Sequence, residues 1–168
     1  MKRLIAALLT VLVVVLGAAL STFGAPPNHY FVVPLKQGGL LTRGFDPPDH
    51  RWLPGHRGVD FAAVAGQQVL SPADGTVSYV GWVVNRPVIT ITHHDGLRSS
   101  FEPVTSAAQV GAAVSAGETI GEVSADLSHC AATCLHWGLR APPPAEQYLN
   151  PLHYLAGGGP IVLLPVTD

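Results

Sequence analysis

Lysine is nearly absent from this chain, which has only Lys2 and Lys36, and charged residues of all kinds make up just 12% of it. With a formal net charge of −2 and no Lys/Arg cluster beyond the first residues, the sequence lacks the electrostatic footprint of a nucleic-acid binder. The same scarcity excludes a biotin- or lipoyl-type carrier. The glycine-spaced stretch from Gly111 to Val123 suggests such a carrier, but no lysine lies there to be modified. Cysteine is confined to Cys130 and Cys134, and there is no internal repeat or low-complexity tract.

What the chain does have is 18 glycines and 15 prolines in 168 residues, which favours short strands joined by turns over long helices. Its one long apolar run, Leu4 to Leu20, follows the basic start Met1-Lys2-Arg3 and reads as an export signal. That run also approaches the roughly 20 residues of a membrane span, so cleaved secretion and membrane anchoring both stay open. Either way the segment is expected to form an N-terminal apolar helix, and the remainder to work outside the cytoplasmic membrane, secreted or in the envelope. The expected layout is this signal or anchor at 1–25, a lead-in at 26–39, one domain at 40–156 and a tail at 157–168 after Gly157-Gly158-Gly159-Pro160. A domain of that length can bury a real core.

Within the lead-in, Tyr30 to Val33 suggests an edge strand stopped by Pro34. Asp74-Gly75 before Thr76-Val77, and Asp95-Gly96 between Val88–Thr92 and Leu97–Phe101, give hairpin signals. Further turn-punctuated strands run from Val110 to Val123, Cys134 to Arg140 reads as a strand, and Tyr148 to Leu155 closes with a helical turn. The fold class is therefore mostly β.

His56-Arg57-Gly58-Val59-Asp60 sets an imidazole and a carboxylate four residues apart around a glycine, and both are good zinc donors. On its own this reads equally as a loop ion pair. Cys134-Leu135-His136-Trp137 adds a second element, because strand alternation turns Cys134 and His136 to one face and Leu135 and Trp137 to the core. Two histidines and one carboxylate on zinc leave a fourth position for water, the arrangement of catalytic rather than structural sites.

The series Arg43-Gly44-Phe45, Gly55-His56-Arg57-Gly58-Val59-Asp60, Ser71-Pro72-Ala73-Asp74-Gly75-Thr76-Val77, Gly117-x-x-Ile120-Gly121 and Leu135-His136-Trp137 resembles the lysostaphin/LytM-type zinc peptidases. This family is also known by its duplicated-hybrid-motif fold, and the likeness covers roughly residues 40 to 155. It implies a compact antiparallel β sandwich or barrel-like core, zinc held by His56, Asp60 and His136, and endopeptidase action on peptidoglycan peptide cross-links.

Two positions depart from the family pattern. Cys134 stands where a histidine precedes the last ligand, and Pro103, in Phe101-Glu102-Pro103-Val104, stands where a second histidine follows an aromatic residue. The family's histidines there orient or deprotonate the attacking water and stabilise the oxyanion, and losing such help typically costs about 100-fold or more. Glu102 and His129 are the substitute acid/base candidates, each with the alternative of being a solvated side chain. Cys130 and Cys134 read first as a disulfide, with a Cys134 zinc thiolate or a nucleophilic thiol as alternatives. Arg98 and Arg140 read as holders of a substrate carboxylate or as solvated surface charges. Trp52, Trp82 and Trp137 are assigned to core or groove wall, with Trp82 the groove candidate. His93 and His94 are expected to be exposed turn residues, and Tyr148 to be structural. The expected function is a zinc endopeptidase of reduced activity; the alternative is an inactive domain that binds cell wall or regulates another wall hydrolase.

Overall fold

Alternation of apolar and polar residues along the strands decides the architecture. The computed structural model describes residues 31–50, 52–125, 129–145 and 147–156; the expected N-terminal helix and the C-terminal tail lie outside the described residues. In chain order the strands are β1 Leu41–Arg43, β2 Gly58–Ala62, β3 Gln68–Leu70, β4 Gly75–Val83, β5 Arg86–His93, β6 Arg98–Glu102, β7 Val104–Thr105, β8 Ala113–Val114, β9 Thr119–Val123, β10 Cys134–Arg140 and β11 Tyr148–Leu149. A 3-10 helix, Pro151–Tyr154, follows, with Pro151 in its first turn and the Asn150 side chain accepting from the Leu152 amide.

The strands form a large antiparallel sheet ordered β1-β2-β10-β6-β5-β4-β8, with β11 on β10, and a small sheet ordered β3-β9-β7. The small sheet contributes Val69, Val104, Ile120 and Val123 to the same buried cluster as Val59, Ile89, Ile91, Leu135, Trp137 and Leu139 of the large one. This is the expected mostly β, antiparallel sandwich. Among the described residues no helix is long and apolar enough to cross a membrane.

Strand β10 shows why the site lies where it does. Leu135, Trp137 and Leu139 are fully buried, while His136 and Arg140 on the alternate face are half-buried. Trp137 lies between Phe31 and Phe101, with ring centroids 6.1 and 6.2 Å away. Truncating such a side chain to alanine costs about 3–5 kcal/mol, a large share of a small domain's net stability, so core packing locks the strand that presents His136.

Several local expectations need correction. Phe31 makes an isolated bridge to Leu155 rather than an edge strand, because the lead-in is anchored by its buried ring and by scattered backbone hydrogen bonds, Phe31 N–H to Tyr154 O and Val32 N–H to Pro72 O among them. Asp95-Gly96 does close the β5–β6 hairpin, with Gly96 at φ +82. Asp74-Gly75 instead leads from the small sheet into the large one. The longest pairing, β4 with β5, turns at Val84 (φ +59) and Asn85, where no Asx-Gly signal exists.

His93 is 4% exposed and not a free turn residue. Its Nδ1–H donates to the Asp74 carbonyl at 3.0 Å, its Nε2 accepts from the Ser99 hydroxyl at 2.8 Å, and Ser99 Oγ accepts from Trp137 Nε1–H at 3.2 Å. Each of these buried polar groups is satisfied, where an orphan would cost about 1–3 kcal/mol. Burial lowers the His93 pKa from 6.5, outweighing the Asp74 carbonyl bond and nearby carboxylates. His94, as expected, is exposed.

Candidate metal centre

On the polar face of the large sheet, β2 and β10 pair so that Asp60 stands directly opposite His136, and β6 places Glu102 on the other side of His136. The approach of β2 to β10 needs Gly58. A Cβ there would run into the Trp137 carbonyl and lie 2.7 Å from the His136 ring. Close packing is therefore the reason for glycine between His56 and Asp60. His56 precedes β2 and is fixed by an antiparallel bridge to Asp46, with His56 N–H donating at 2.6 Å and Asp46 N–H at 2.9 Å.

The polar atoms converge tightly. His136 Nδ1 lies 2.7 Å and His56 Nε2 3.0 Å from Asp60 Oδ1, and the two ring nitrogens are 3.1 Å apart. His129 Nε2 lies 3.0 Å from both Asp60 oxygens. His56, Asp60, His129 and His136 each offer one ligand atom, and these atoms lie within 4.8 Å of one another. Burial pushes the Asp60 carboxyl up, but hydrogen bonds and charge from His129 and His136 outweigh it and hold the pKa well below the ordinary carboxylate range. Asp60 is thus an anion at neutral pH.

One contact tests whether a metal fits. His56 Nδ1 lies 2.6 Å from the Gly44 carbonyl, which can only accept, so Nδ1 carries the proton and Nε2 of the neutral ring presents a lone pair. That lone pair faces the Asp60 carboxylate, an acceptor against an acceptor at 3.0 Å. The contact is favourable only with positive charge between them, either a second proton on His56 or a metal ion. A carbonyl that fixes the tautomer of a ligand histidine is the usual outer support of such a site. The donor set of imidazoles and a carboxylate suits zinc.

Both acid/base candidates reach the same cleft. Glu102 Oε1 pairs with Arg86 Nε at 2.9 Å and lies 3.9 Å from His129 Nδ1. Cys130 and Cys134 form a disulfide, with no free cysteine among the described residues, so neither the thiolate ligand nor the nucleophilic thiol is realised. The disulfide ties the loop carrying His129 to the first residue of β10. Arg43, Arg57, Arg86, Glu102 and Tyr148 line a cleft of about 420 Å³ over His56 and His136.

Sequence reasoning missed Arg86, whose hairpin position carries no motif, and the Gly44 carbonyl, although Arg43-Gly44-Phe45 marked its place. Tyr148 lines the cleft, with the Arg57 and Arg140 guanidiniums 5.8 and 5.6 Å from its ring centroid. Trp82 is not among the residues lining this cleft; it stands 60% exposed at the far end of β4. Trp52 is 75% exposed and stacks on His50 rather than entering the core.

Residues 54–151 match the family model "Peptidase family M23", which spans all the residues of this centre outside β1 and its following turn. An uncharacterised protein of Mycobacterium tuberculosis is 40% identical over 154 residues; the match covers 88% of this chain and 61% of that relative's length. A putative M23 peptidase from Pseudomonas aeruginosa superposes with a TM-score of 0.63 at 25% identity, covering 81% of this chain and 54% of that one. The catalytic domain of lysostaphin from Staphylococcus simulans superposes with a TM-score of 0.58 at 24% identity, covering 67% and 89%.

Proposed function

Since this chain belongs to peptidase family M23, we propose that it is an exported zinc endopeptidase acting on peptidoglycan peptide cross-links, with His129 and Glu102 in place of the two absent family histidines. The observation that carries this reading is the meeting of His56 Nε2, Asp60 Oδ1, His136 Nδ1 and His129 Nε2 at the base of an open cleft.

His56, Asp60 and His136 would hold the metal. Zinc in such a site supplies Lewis acidity toward a carbonyl and lowers the pKa of water. The chain's own residues do the rest. His129, with a side chain 24% exposed, stands between the donors and solvent and is the group placed to take a proton from the attacking water and return it to the leaving amine. Glu102, paired with Arg86 Nε at 2.9 Å, lies 3.9 Å from His129 Nδ1 and is placed to orient that ring. The Gly44 carbonyl keeps the His56 lone pair turned inward.

The second reading, a wall-binding or regulatory domain without hydrolysis, draws on the same residue. If His129 serves as a fourth donor it fills the position that water needs. Zinc content and hydrolysis of purified peptidoglycan, measured together on the oxidised protein and on His56→Ala/His136→Ala, separate the readings. Stoichiometric zinc with metal-dependent peptide release is expected, and both should vanish in the variant. Zinc without release would favour the second reading. Absence of zinc from the parent protein would overturn both.

A further inference from the structure

The polar face of the large sheet does not end at the metal centre. Along β10 the residues on that face are His136, Gly138 and Arg140; opposite them on β6 stand Glu102, Ser100 and Arg98. Ser100 lines both the cleft over the metal centre and a second cavity of about 320 Å³, so the two adjoin on one face of the large sheet. Gly138 lies between His136 and Arg140 on this face and lines the nearer cleft; a Cβ there would make ordinary contact, 3.5 Å from the Arg57 carbonyl, with the His136 ring beside it.

The far cavity is chemically unlike the near one. Its lining is Arg98 and Arg140 with Ser78, Tyr79, Thr90 and Thr92, and among the described residues it holds no carboxylate. The two arginines are direct cross-strand partners. The side chains are also held in position, since Arg140 lies over the Tyr148 ring and both arginines make interactions within the chain. A guanidinium carries five N–H donors in a fork suited to a carboxylate.

From these features we infer that Arg98 and Arg140 form a carboxylate subsite at the end of the groove, selecting peptides that carry a free carboxylate three to four residues from the bond cut at the metal centre. Arg140 is four residues along β10 from His136, about 13 Å at the rise of a strand, which an extended peptide spans in as many residues. The hydroxyls of Ser100, Thr90, Thr92 and Ser78 offer hydrogen bonds along or beside that path without adding charge. The carboxylate has two sources, the peptide's terminal α-carboxylate or an acidic side chain. This inference rests on the peptidase reading, which sets what lies in the groove.

The test uses three N-terminally labelled synthetic wall-stem peptides of one sequence: carboxylates free, C-terminus amidated, and side-chain carboxylates amidated. Binding to the zinc-loaded full chain is read by fluorescence anisotropy in a His129→Ala background, so that hydrolysis does not consume the probe, and wild-type hydrolysis of peptidoglycan is read separately. Charge-assisted contacts of this kind predict that one amidation weakens binding roughly tenfold or more. Which amidation does so identifies the source. Arg98→Gln/Arg140→Gln should bind all three peptides at the weaker level, and Arg98→Lys/Arg140→Lys should keep part of the preference, separating loss of the subsite from loss of the fold. Equal affinity for the three peptides in the Arg98/Arg140 parent overturns the subsite even if peptidoglycan is hydrolysed. If no peptide binds, the subsite is overturned as well, and the peptidase reading then stands or falls on wild-type hydrolysis.

Discussion

Asp60 and His136 face each other across paired strands and His56 is fixed by its bridge to Asp46, whereas His129 reaches the same carboxylate from a loop that the Cys130–Cys134 disulfide ties to β10. Separating Asp60 from His136 means unzipping β2 from β10, which Trp137 and Leu135 in the core resist, and His56 is held independently of that pairing by its bridge to Asp46. His129 belongs to no strand pairing and makes polar contacts with the Asp60 and Glu102 carboxylates. The difference suits two tasks. Holding a metal needs fixed donors, whereas carrying a proton needs a group that reaches both the donors and the substrate.

Removing the loop histidine is the sharpest way to break this comparison. His129→Ala should lower peptidoglycan hydrolysis by about 100-fold, the usual scale of a lost acid/base group, while zinc content stays stoichiometric. If zinc is lost as well, His129 belongs with the fixed donors and the division of labour is wrong. Cutting the tether comes next. Cys130→Ser/Cys134→Ser should cost about 2 kcal/mol in denaturant unfolding for so short a loop, and lower hydrolysis part of the way toward the His129→Ala level. Unchanged hydrolysis would mean that other contacts hold His129 in place.

The smallest effect contrasts His129 with the buried His93. The His93 pKa lies below 6.5 in the folded protein, so as pH falls the unfolded chain takes up that proton first. Its contribution to stability is complete above about pH 6.5, the ordinary histidine value, and is lost as pH drops below it toward the folded-state pKa. Unfolding followed from pH 7.5 to 5 should show this loss, and His93→Gln, which keeps a donor and an acceptor, should flatten it. An unchanged slope in the variant would assign the pH dependence to other groups.

How much of this was legible depended on how local the determinant is. Asp95-Gly96 specified a hairpin because its turn chemistry is contained in two residues. The β4–β5 turn was invisible because Val84 takes a left-handed conformation that a β-branched side chain disfavours, and the long pairing on either side imposes it. His93 read as exposed from its place beside a turn, but its burial is set by Phe31, Ser99 and Asp74, all brought there by the fold. His56, Asp60 and His136 could be marked from short motifs. Glu102 and His129 could be marked only as neighbours of missing histidines, and nothing in the sequence connected Arg86 to Glu102.

The sequence by itself determined the mostly β class and the family, and marked His56, Asp60 and His136 as candidate donors, because alternation, turn residues and short motifs act within a few residues of one another. Only the tertiary structure decided that the Gly44 carbonyl orients His56, that His129 closes on Asp60, and that the metal centre and Arg98/Arg140 share one face of the large sheet. Those relations join segments distant in the chain, 69 residues in the case of His129 and Asp60, and strand register, core packing and a disulfide set them.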